Sequence, residues 1–349
     1  MTKIAIITGI TGQDGSYLVE LLYEKKYKIY GVLRRSSTPT TGRINREIWG
    51  EIKNRCVCAD LTDGSSIDKI FEYVLSDNNE NDIETIEFYN LAAMSHVGDS
   101  FSIPSYSADV NALGVTRILE SISKLKIKRK VKFYQASTSE MFGKVSETPQ
   151  NENTSFNPRS PYAISKLYAH WVTKNYRESY NIFACSGILF NHESPRRGIT
   201  FVTKKITSSI AAIKRGDLET IEIGNLNAYR DWGHAKDYVY AMWLILQKDI
   251  PNDYVISSGE NHTVREFVEK SFKYINIDIK WKGEGLGEIG YDPITKKTLV
   301  KINPKYFRPL EVDTLLGDCS KAKKELGWKR NYTFNEIIKE MMEEDLKNV

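Results

Sequence analysis

The chain has 349 residues, of which 41% are hydrophobic and 27% charged, and its net charge of +4 is spread along its length. These proportions are ordinary for a globular protein able to bury one large core or two modest ones. The charge is too small and diffuse for a nucleic-acid binder, although a mildly basic surface suits an anionic ligand. No apolar run approaches membrane-spanning length, so no membrane partner is expected. Met1-Thr2-Lys3-Ile4 runs directly into a strand pattern, which predicts a cytoplasmic protein with no signal peptide. Cys56, Cys58, Cys185 and Cys319 include only one close pair, so no zinc site is completed. Free, mostly buried thiols in a reducing cytosol are the expectation.

Ile4 to Ile7 reads as a buried strand. Thr8-Gly9-Ile10-Thr11-Gly12-Gln13-Asp14-Gly15 follows, and then Ser16 to Leu22 at helical spacing. A strand, Gly-x-x-Gly-x-x-Gly and a helix together form a dinucleotide-binding turn. The glycines permit close backbone approach, and the helix N-terminus faces a pyrophosphate. A second strand, Tyr27 to Leu33, ends at Arg34-Arg35-Ser36-Ser37. An acidic residue there would accept hydrogen bonds from the ribose hydroxyls of NAD. Two arginines and two hydroxyls suit a 2′-phosphate instead, so NADP is predicted.

Thr38 to Arg46 reads as a long polar loop that covers the cofactor or meets another subunit. Val57 to Ala59 is a third strand, with Asp60 and Leu61 placed beside an adenine. Ser66 to Leu75 is a helix, and Ile86 to Leu91 a fourth strand. Its end, Asn90 to His96, has small residues that let a dinucleotide lie close. His96 has no adjacent acid, so a structural role is expected. Asp109 to Leu125 reads as one long helix. Alternating strands and helices predict a doubly wound parallel sheet.

Val131 to Tyr134 is a fifth strand that passes into Gln135-Ala136-Ser137-Thr138-Ser139-Glu140. The carboxyl end of a parallel strand is where ligands bind. Tyr162 and Lys166 then share one face of a helix from Tyr162 to Tyr180. An ammonium beside a phenol favours the phenolate, so Lys166 is expected to lower the Tyr162 pKa and ready it for acid–base work. Phe183 to Leu189 is a sixth strand. The alternation then loosens through helices at Phe201–Lys214 and Val239–Leu246, short strands at Thr220–Ile223 and Tyr254–Ile256, and final helices at Ser320–Leu326 and Phe334–Leu346. This region is expected to form a smaller lobe over the carboxyl edge of the sheet. Arg196, Arg197, Lys204, Arg230 and Arg308 are spread across it, and paired arginines suit a diphosphate.

With the glycine turn, the strand-end Thr138 and Tyr-x-x-x-Lys in order, the chain resembles the extended short-chain dehydrogenase/reductases. GITGQDGSYL, QASTSEMFG, SPYAISKLYAHW, FNHESPRRG and RDWGHAKDYV carry the likeness further, to the branch that dehydrates GDP-mannose. The resemblance implies an α/β Rossmann fold with NADP held by residues 1–192 and 227–262. Residues 193–226 and 263–349 would form a smaller α/β lobe that binds the nucleotide-sugar. It implies Thr138, Glu140, Tyr162 and Lys166 as catalytic residues. For NADP it implies Gly9, Ile10, Thr11, Gly12, Gln13, Asp14, Gly15, Arg34, Arg35, Ser36, Ser37, Asp60, Leu61, Leu91, Ala92, Ala93, Met94, Ser95, Tyr106, Lys166, His192 and Arg197. For GDP-mannose it implies Ser95, Asn191, Lys204, Arg230, Arg308 and Glu311.

The implied reaction is an internal oxidation–reduction at the sugar that releases water, the first step towards GDP-fucose or other GDP-deoxysugars. A homotetramer or dimer is implied, with the Arg35–Arg43 loop reaching a neighbouring cofactor site. A 4-epimerase, a net reductase or a non-catalytic NADP sensor are the alternatives. An epimerase has no use for a carboxylate at C5, and a sensor has no need of Tyr162 and Lys166.

Overall fold

Seven strands form one parallel sheet in the computed structural model, which describes residues 1–38, 40–307, 310, 312 and 314–347. They are β1 (Thr2–Thr8), β2 (Lys28–Leu33), β3 (Cys56–Cys58), β4 (Ile83–Asn90), β5 (Val131–Thr138), β6 (Phe183–Leu189) and β7 (Tyr254–Ile256). Their order is β7-β6-β5-β4-β1-β2-β3, so the chain reverses direction across the sheet between β1 and β4. In such sheets the crevice at the reversal, beyond the strand ends, is the ligand site.

The strands are near-continuous apolar runs because both faces are covered. Ala5, Ile7, Ile29 and Tyr134 pack on one face under helices Gln13–Glu24 and Ala235–Leu246. Ile6, Phe88 and Phe133 pack on the other under helices Gly64–Ser76, Gly114–Lys124 and Pro161–Tyr180. The last of these begins sharply: the Ser160 side chain accepts from the Ala163 N–H at 3.1 Å, and Pro161 occupies the first turn. It stops where Asn181 adopts φ 54°. Those boundaries put Tyr162 and Lys166 in the first two turns, at the carboxyl edge of the sheet.

The lobe has its own core of Ile206, Ile210, Trp232, Phe267, Val300 and Met341. Helices Val202–Arg215, Val264–Tyr274 and Phe334–Leu346 surround it. A four-stranded sheet of Ile221–Ile223, Lys280–Lys282, Ile289–Tyr291 and Thr298–Ile302 completes it. Residues 319–328 then return to the main sheet, where Cys319, Ala322 and Trp328 join the first core. There the Trp328 indole donates to the Asp237 carbonyl at 2.9 Å, and the Asp237 carboxylate accepts from the Asn331 N–H at 2.9 Å.

Several elements differ from the sequence reading. The polar loop after β2 ends in a short helix, Arg46–Ile52, capped by the Asn45 side chain. The helix expected from Asp109 starts at Pro104 and contains one wide π-turn at Asp109–Leu113. Helix Val264–Tyr274 and the three-stranded run from Lys280 to Ile302 went unrecognised. The thiols are less buried than expected: Cys185 and Cys319 are buried, Cys56 is half-buried and Cys58 exposed. Among the described residues, no helix is long and apolar enough to cross a membrane.

Candidate active site

A cavity of about 680 Å³ opens along the carboxyl ends of β1, β4 and β5. Gly9, Thr11, Gly12, Gln13, Asp14 and Gly15 line its floor. Gly9 sits at φ +66°, and a Cβ there would lie 2.8 Å from the Ala92 nitrogen. A Cβ on Gly15 would fall 2.3 Å from the Gly9 carbonyl oxygen. Side chains at either position would fill the cradle. The helix that follows has Gly12 as its N-cap and no side-chain cap, so its first-turn N–H groups point at the cavity unprotected by a capping oxygen. This is the site a dinucleotide pyrophosphate requires.

One end of the cavity is basic. Arg34 and Arg43 line it together with Asp60, Leu61 and Tyr106. The Arg34 guanidinium donates to the Tyr106 hydroxyl at 3.0 Å, and Arg43 reaches back to the Arg196 carbonyl at 2.8 Å. Arg35, Ser36 and Ser37 do not line this cavity. They line an adjoining one of about 420 Å³, which Arg34 shares. No carboxylate stands at the end of β2, so the corner fits a 2′-phosphate.

Leu91, Ala92, Ala93, Met94 and Ser95 form the wall opposite the glycine turn. Asn111 fixes that wall. Its amide oxygen accepts from the Met94 N–H at 2.9 Å, and its amide nitrogen donates to the Met94 carbonyl at 3.0 Å and to the Ser165 hydroxyl at 3.2 Å. Asn111 lies in the π-turn and is 2% exposed. A buried asparagine within an apolar helix was the signal for it in the sequence, and it was missed. His96 has the adjacent acid that the sequence reading did not see, because Asp99 lies one helical turn on: its Nδ1 is 3.1 Å from the Asp99 carboxylate and accepts from the Asp99 N–H at 3.2 Å, its ring meets Phe201 edge-on, and it lines the cavity.

Thr138, Glu140, Tyr162 and Lys166 converge at the far end of the cavity. The Thr138 hydroxyl accepts from the Glu140 N–H at 3.2 Å and hydrogen-bonds the Tyr162 phenol. The expected lowering of the Tyr162 pKa does not occur in the chain alone. Burial, with the Glu140 carboxylate beside it, pushes the phenol up to about 12. The Lys166 ammonium lies 6.0 Å from the Tyr162 ring centre and donates to the Ala136 carbonyl at 3.0 Å. Burial pulls Lys166 down to about 8. Four-residue spacing put the two groups on one face, but desolvation acts on each separately and outweighs their attraction. Ser137, between Ala136 and Thr138, also faces the cavity and its hydroxyl has no partner among the described residues.

The third wall comes from the segment after β6, where Asn191, His192 and Arg197 line the cavity. The His192 Nε2 pairs with the Asp14 carboxylate at 2.8 Å. The Gln13 amide donates to the His192 carbonyl at 3.1 Å and accepts from the Ser194 hydroxyl at 2.8 Å. Arg196 bonds Glu20 at 2.6 Å. Thus the loop that carries Asn191 is bolted to the glycine-turn helix.

Not every residue implied by the resemblance lies here. The Ile10 side chain is fully buried in the first core. Lys204 is half-hidden in the lobe and paired with Asp345 at 2.5 Å. Arg230 is 6% exposed, donates to the Tyr229 carbonyl at 2.8 Å and does not line the cavity. Arg308 and Glu311 fall outside the described residues.

The parallel sheet, the glycine cradle and the Thr–Tyr–Lys cluster define a short-chain dehydrogenase/reductase of the extended type. Likeness to known proteins narrows this. The profile of the GDP-mannose 4,6 dehydratase family matches residues 6–341, and the chain belongs to that family. A GDP-mannose 4,6 dehydratase of Drosophila melanogaster is 52% identical, over 99% of this chain and 86% of the fly protein. A GDP-mannose 4,6-dehydratase of Vibrio cholerae is 49% identical, over 99% of this chain and 94% of its own length. Among solved structures, the UDP-glucose 4-epimerase of Thermus thermophilus, in complex with NAD, superposes with a TM-score of 0.79. It is 20% identical and covers 99% of this chain and 100% of its own, which is a likeness of fold.

Proposed function

We infer that the chain is an NADP-dependent GDP-mannose 4,6-dehydratase, which converts GDP-mannose to GDP-4-dehydro-6-deoxymannose and water. Family membership supports the substrate and the reaction. The observation that carries the chemistry is Glu140, a carboxylate 8% exposed in the same cavity as Thr138, Tyr162 and Lys166.

The residues present fit NADP: the glycine turn and uncapped helix would take the pyrophosphate, Arg34 to Ser37 the 2′-phosphate, and Lys166 the nicotinamide ribose. Bound NADP⁺ would supply a hydride acceptor and later donor, and positive charge that would favour the Tyr162 phenolate. Tyr162, hydrogen-bonded to Thr138, takes the proton of the sugar C4 hydroxyl. A ketone at C4 acidifies the hydrogen on C5. Glu140 removes that proton and passes it to the departing C6 hydroxyl, which leaves as water. The C4 oxygen remains a ketone, so Tyr162 does not return its proton there; one proton restores C5 as the hydride is returned to C6, which balances the one Tyr162 took.

The proposed division of labour is NADP on residues 1–192 with 227–262, and the nucleotide-sugar on 193–226 with 263–349, except that residues 319–328 pack on the main sheet. Ser95 and Asn191 would meet the sugar nucleotide from the cavity, whereas Lys204 and Arg230 would have to turn towards it. Lys204 must release Asp345 to take part. The protein is proposed to work in the cytoplasm as a homo-oligomer. Ile164, Tyr168 and Trp171, exposed along one face of their helix, support the latter. Incubation with a panel of nucleotide-sugars, read by mass spectrometry, tests the function. Loss of water from GDP-mannose with no net NADPH change is the expected result. Epimerisation without loss of water, or steady use of NADPH, would overturn it.

A further inference from the structure

A carboxylate at the mouth of a pyrophosphate site needs a reason. Asp14 is in the first turn of the glycine-turn helix and lines the cavity where two phosphate charges would sit. An unpaired acid there repels the ligand and competes with it for the positive end of the helix. In this chain the acid is answered. His192 Nε2 lies 2.8 Å from Asp14 Oδ2, and His192 Nδ1 lies 2.8 Å from the Phe190 carbonyl. A carbonyl on one ring nitrogen and a carboxylate on the other are both acceptors, which favours the doubly protonated ring.

We propose that Asp14 and His192 form a charge-compensated pair that makes the helix N-terminus acceptable to the dinucleotide, so that the proton on His192 sets cofactor affinity. The proposal deepens the NADP reading above and rests on it. The groups facing the pair are few. From its own segment come Arg197 and Glu193, the latter engaged by the Thr203 hydroxyl at 2.5 Å and by Arg197 at 3.0 Å. From helix Ala235–Leu246 comes Tyr238, whose ring stacks on His192 at 4.5 Å. From β5 comes Tyr134, near Asp14, and from helix Pro161–Tyr180 comes Tyr162, also near Asp14 and pushed by burial up to about 12; from the glycine-turn helix comes Gln13, whose amide bonds Asp14 at 3.1 Å. Tyr134 and Tyr238 are both held far above their ordinary range and stay neutral near pH 7. Burial opposes the charged imidazole, but Asp14 more than offsets it and the His192 pKa is raised. The Asp14 pKa is lowered even though burial raises it, because His192 faces it. The charged pair is therefore the state below the raised His192 value, and the proton is lost as pH rises through it.

The fold-side role is also clear: the pair ties the glycine turn to the segment that bears Asn191. The test must separate compensation from a mere tie. NADPH and NADH are titrated into the purified chain between pH 6 and 9, followed by cofactor fluorescence. NADH is included because the 2′-phosphate itself titrates near pH 6. For the wild type, affinity for both cofactors should fall about tenfold as pH rises, the factor expected for losing one opposite charge at short range. His192→Gln should show the weak affinity at every pH. Asp14→Asn should bind tightly at every pH. The double variant, an uncharged pair that can still hydrogen-bond, should regain the affinity that His192→Gln loses.

A wild-type affinity that does not change with pH would overturn the proposal, as would a double variant no better than His192→Gln. Should His192→Gln fail to fold, Asp14→Asn decides alone: a pH dependence like the wild type's would refute the pair. Failure of the wild type to bind either cofactor would sink the NADP reading itself, a distinct outcome.

Discussion

Lys166 is a residue that this fold should be better off without. The residue is 3% exposed, and among the described residues its ammonium makes one hydrogen bond, to the Ala136 carbonyl. A pKa brought down from 10.5 to about 8 corresponds to about 3 kcal/mol of charge-burial cost, at about 1.4 kcal/mol per pH unit. Replacement by methionine keeps the length of the side chain and removes the charge. It also leaves the Ala136 carbonyl without that donor, which takes back about 1 kcal/mol. The cofactor-free Lys166→Met variant should therefore be about 2 kcal/mol more stable than the wild type at pH 7, a rise in midpoint of roughly 5 °C.

The sign follows from linkage. The unfolded chain holds the lysine proton more tightly than the folded one, so wild-type stability rises with pH between about 8 and 10.5. The advantage of the variant should shrink over that interval and turn into a deficit of about 1 kcal/mol above it, the cost of the lost hydrogen bond. Calorimetric or denaturant unfolding at pH 7 and pH 10 measures this, with turnover of GDP-mannose measured alongside and expected to be lost. A variant less stable than the wild type at pH 7, or an advantage that persists at pH 10, would refute the reasoning.

Three further changes test other parts of the site and fold. Glu140→Gln should keep cofactor binding but slow water release and C5 deuterium incorporation together by about 10²–10⁴, read by mass spectrometry in heavy water; wild-type rates would reduce Glu140 to a bystander. Arg35→Ala should weaken NADPH by about 1.5–3 kcal/mol and NADH far less, as measured by titration; equal losses would remove Arg35 from phosphate recognition. Asp253 accepts two bonds from Arg177, at 2.9 and 2.8 Å, and one from the Ser186 N–H at 2.7 Å. Asp253→Ala strands the arginine and should cost about 3–5 kcal/mol in denaturant unfolding. Burial raises the Asp253 pKa, but Arg177 more than offsets this and the net direction is down. The contribution is therefore present above the ordinary carboxylate range and lost as pH falls through the depressed value.

The main sheet was legible because both its faces are buried: β6 and β7 match the apolar runs Phe183–Leu189 and Tyr254–Ile256 residue for residue. The cofactor turn was legible because glycine is the residue that fits where a Cβ would fall within 3 Å of neighbouring backbone, as at Gly9 against Ala92. Helix Val264–Tyr274 was equally legible and was overlooked: Val264, Phe267, Val268 and Phe272 recur at helical spacing after the capping residue Thr263, with charged residues on the other face. Protonation was the least legible property. Spacing places Lys166 beside Tyr162, but their charge states depend on how much water each loses, and no spacing rule reports that. Lys204 shows the same limit, since its partner Asp345 lies 141 residues away.

The return of Cys319–Trp328 to the main sheet bears on how the molecule assembles and moves. Strand β7 and its covering residues are separated by the lobe segments between them, so the edge of the main sheet cannot be sealed until most of the lobe has been synthesised. The two units should mature together rather than one after the other. The same routing hangs the lobe from several strands of chain instead of one. Several tethers should restrict the lobe to small displacements over the sheet, which would keep a reacting sugar over its cofactor through successive chemical steps.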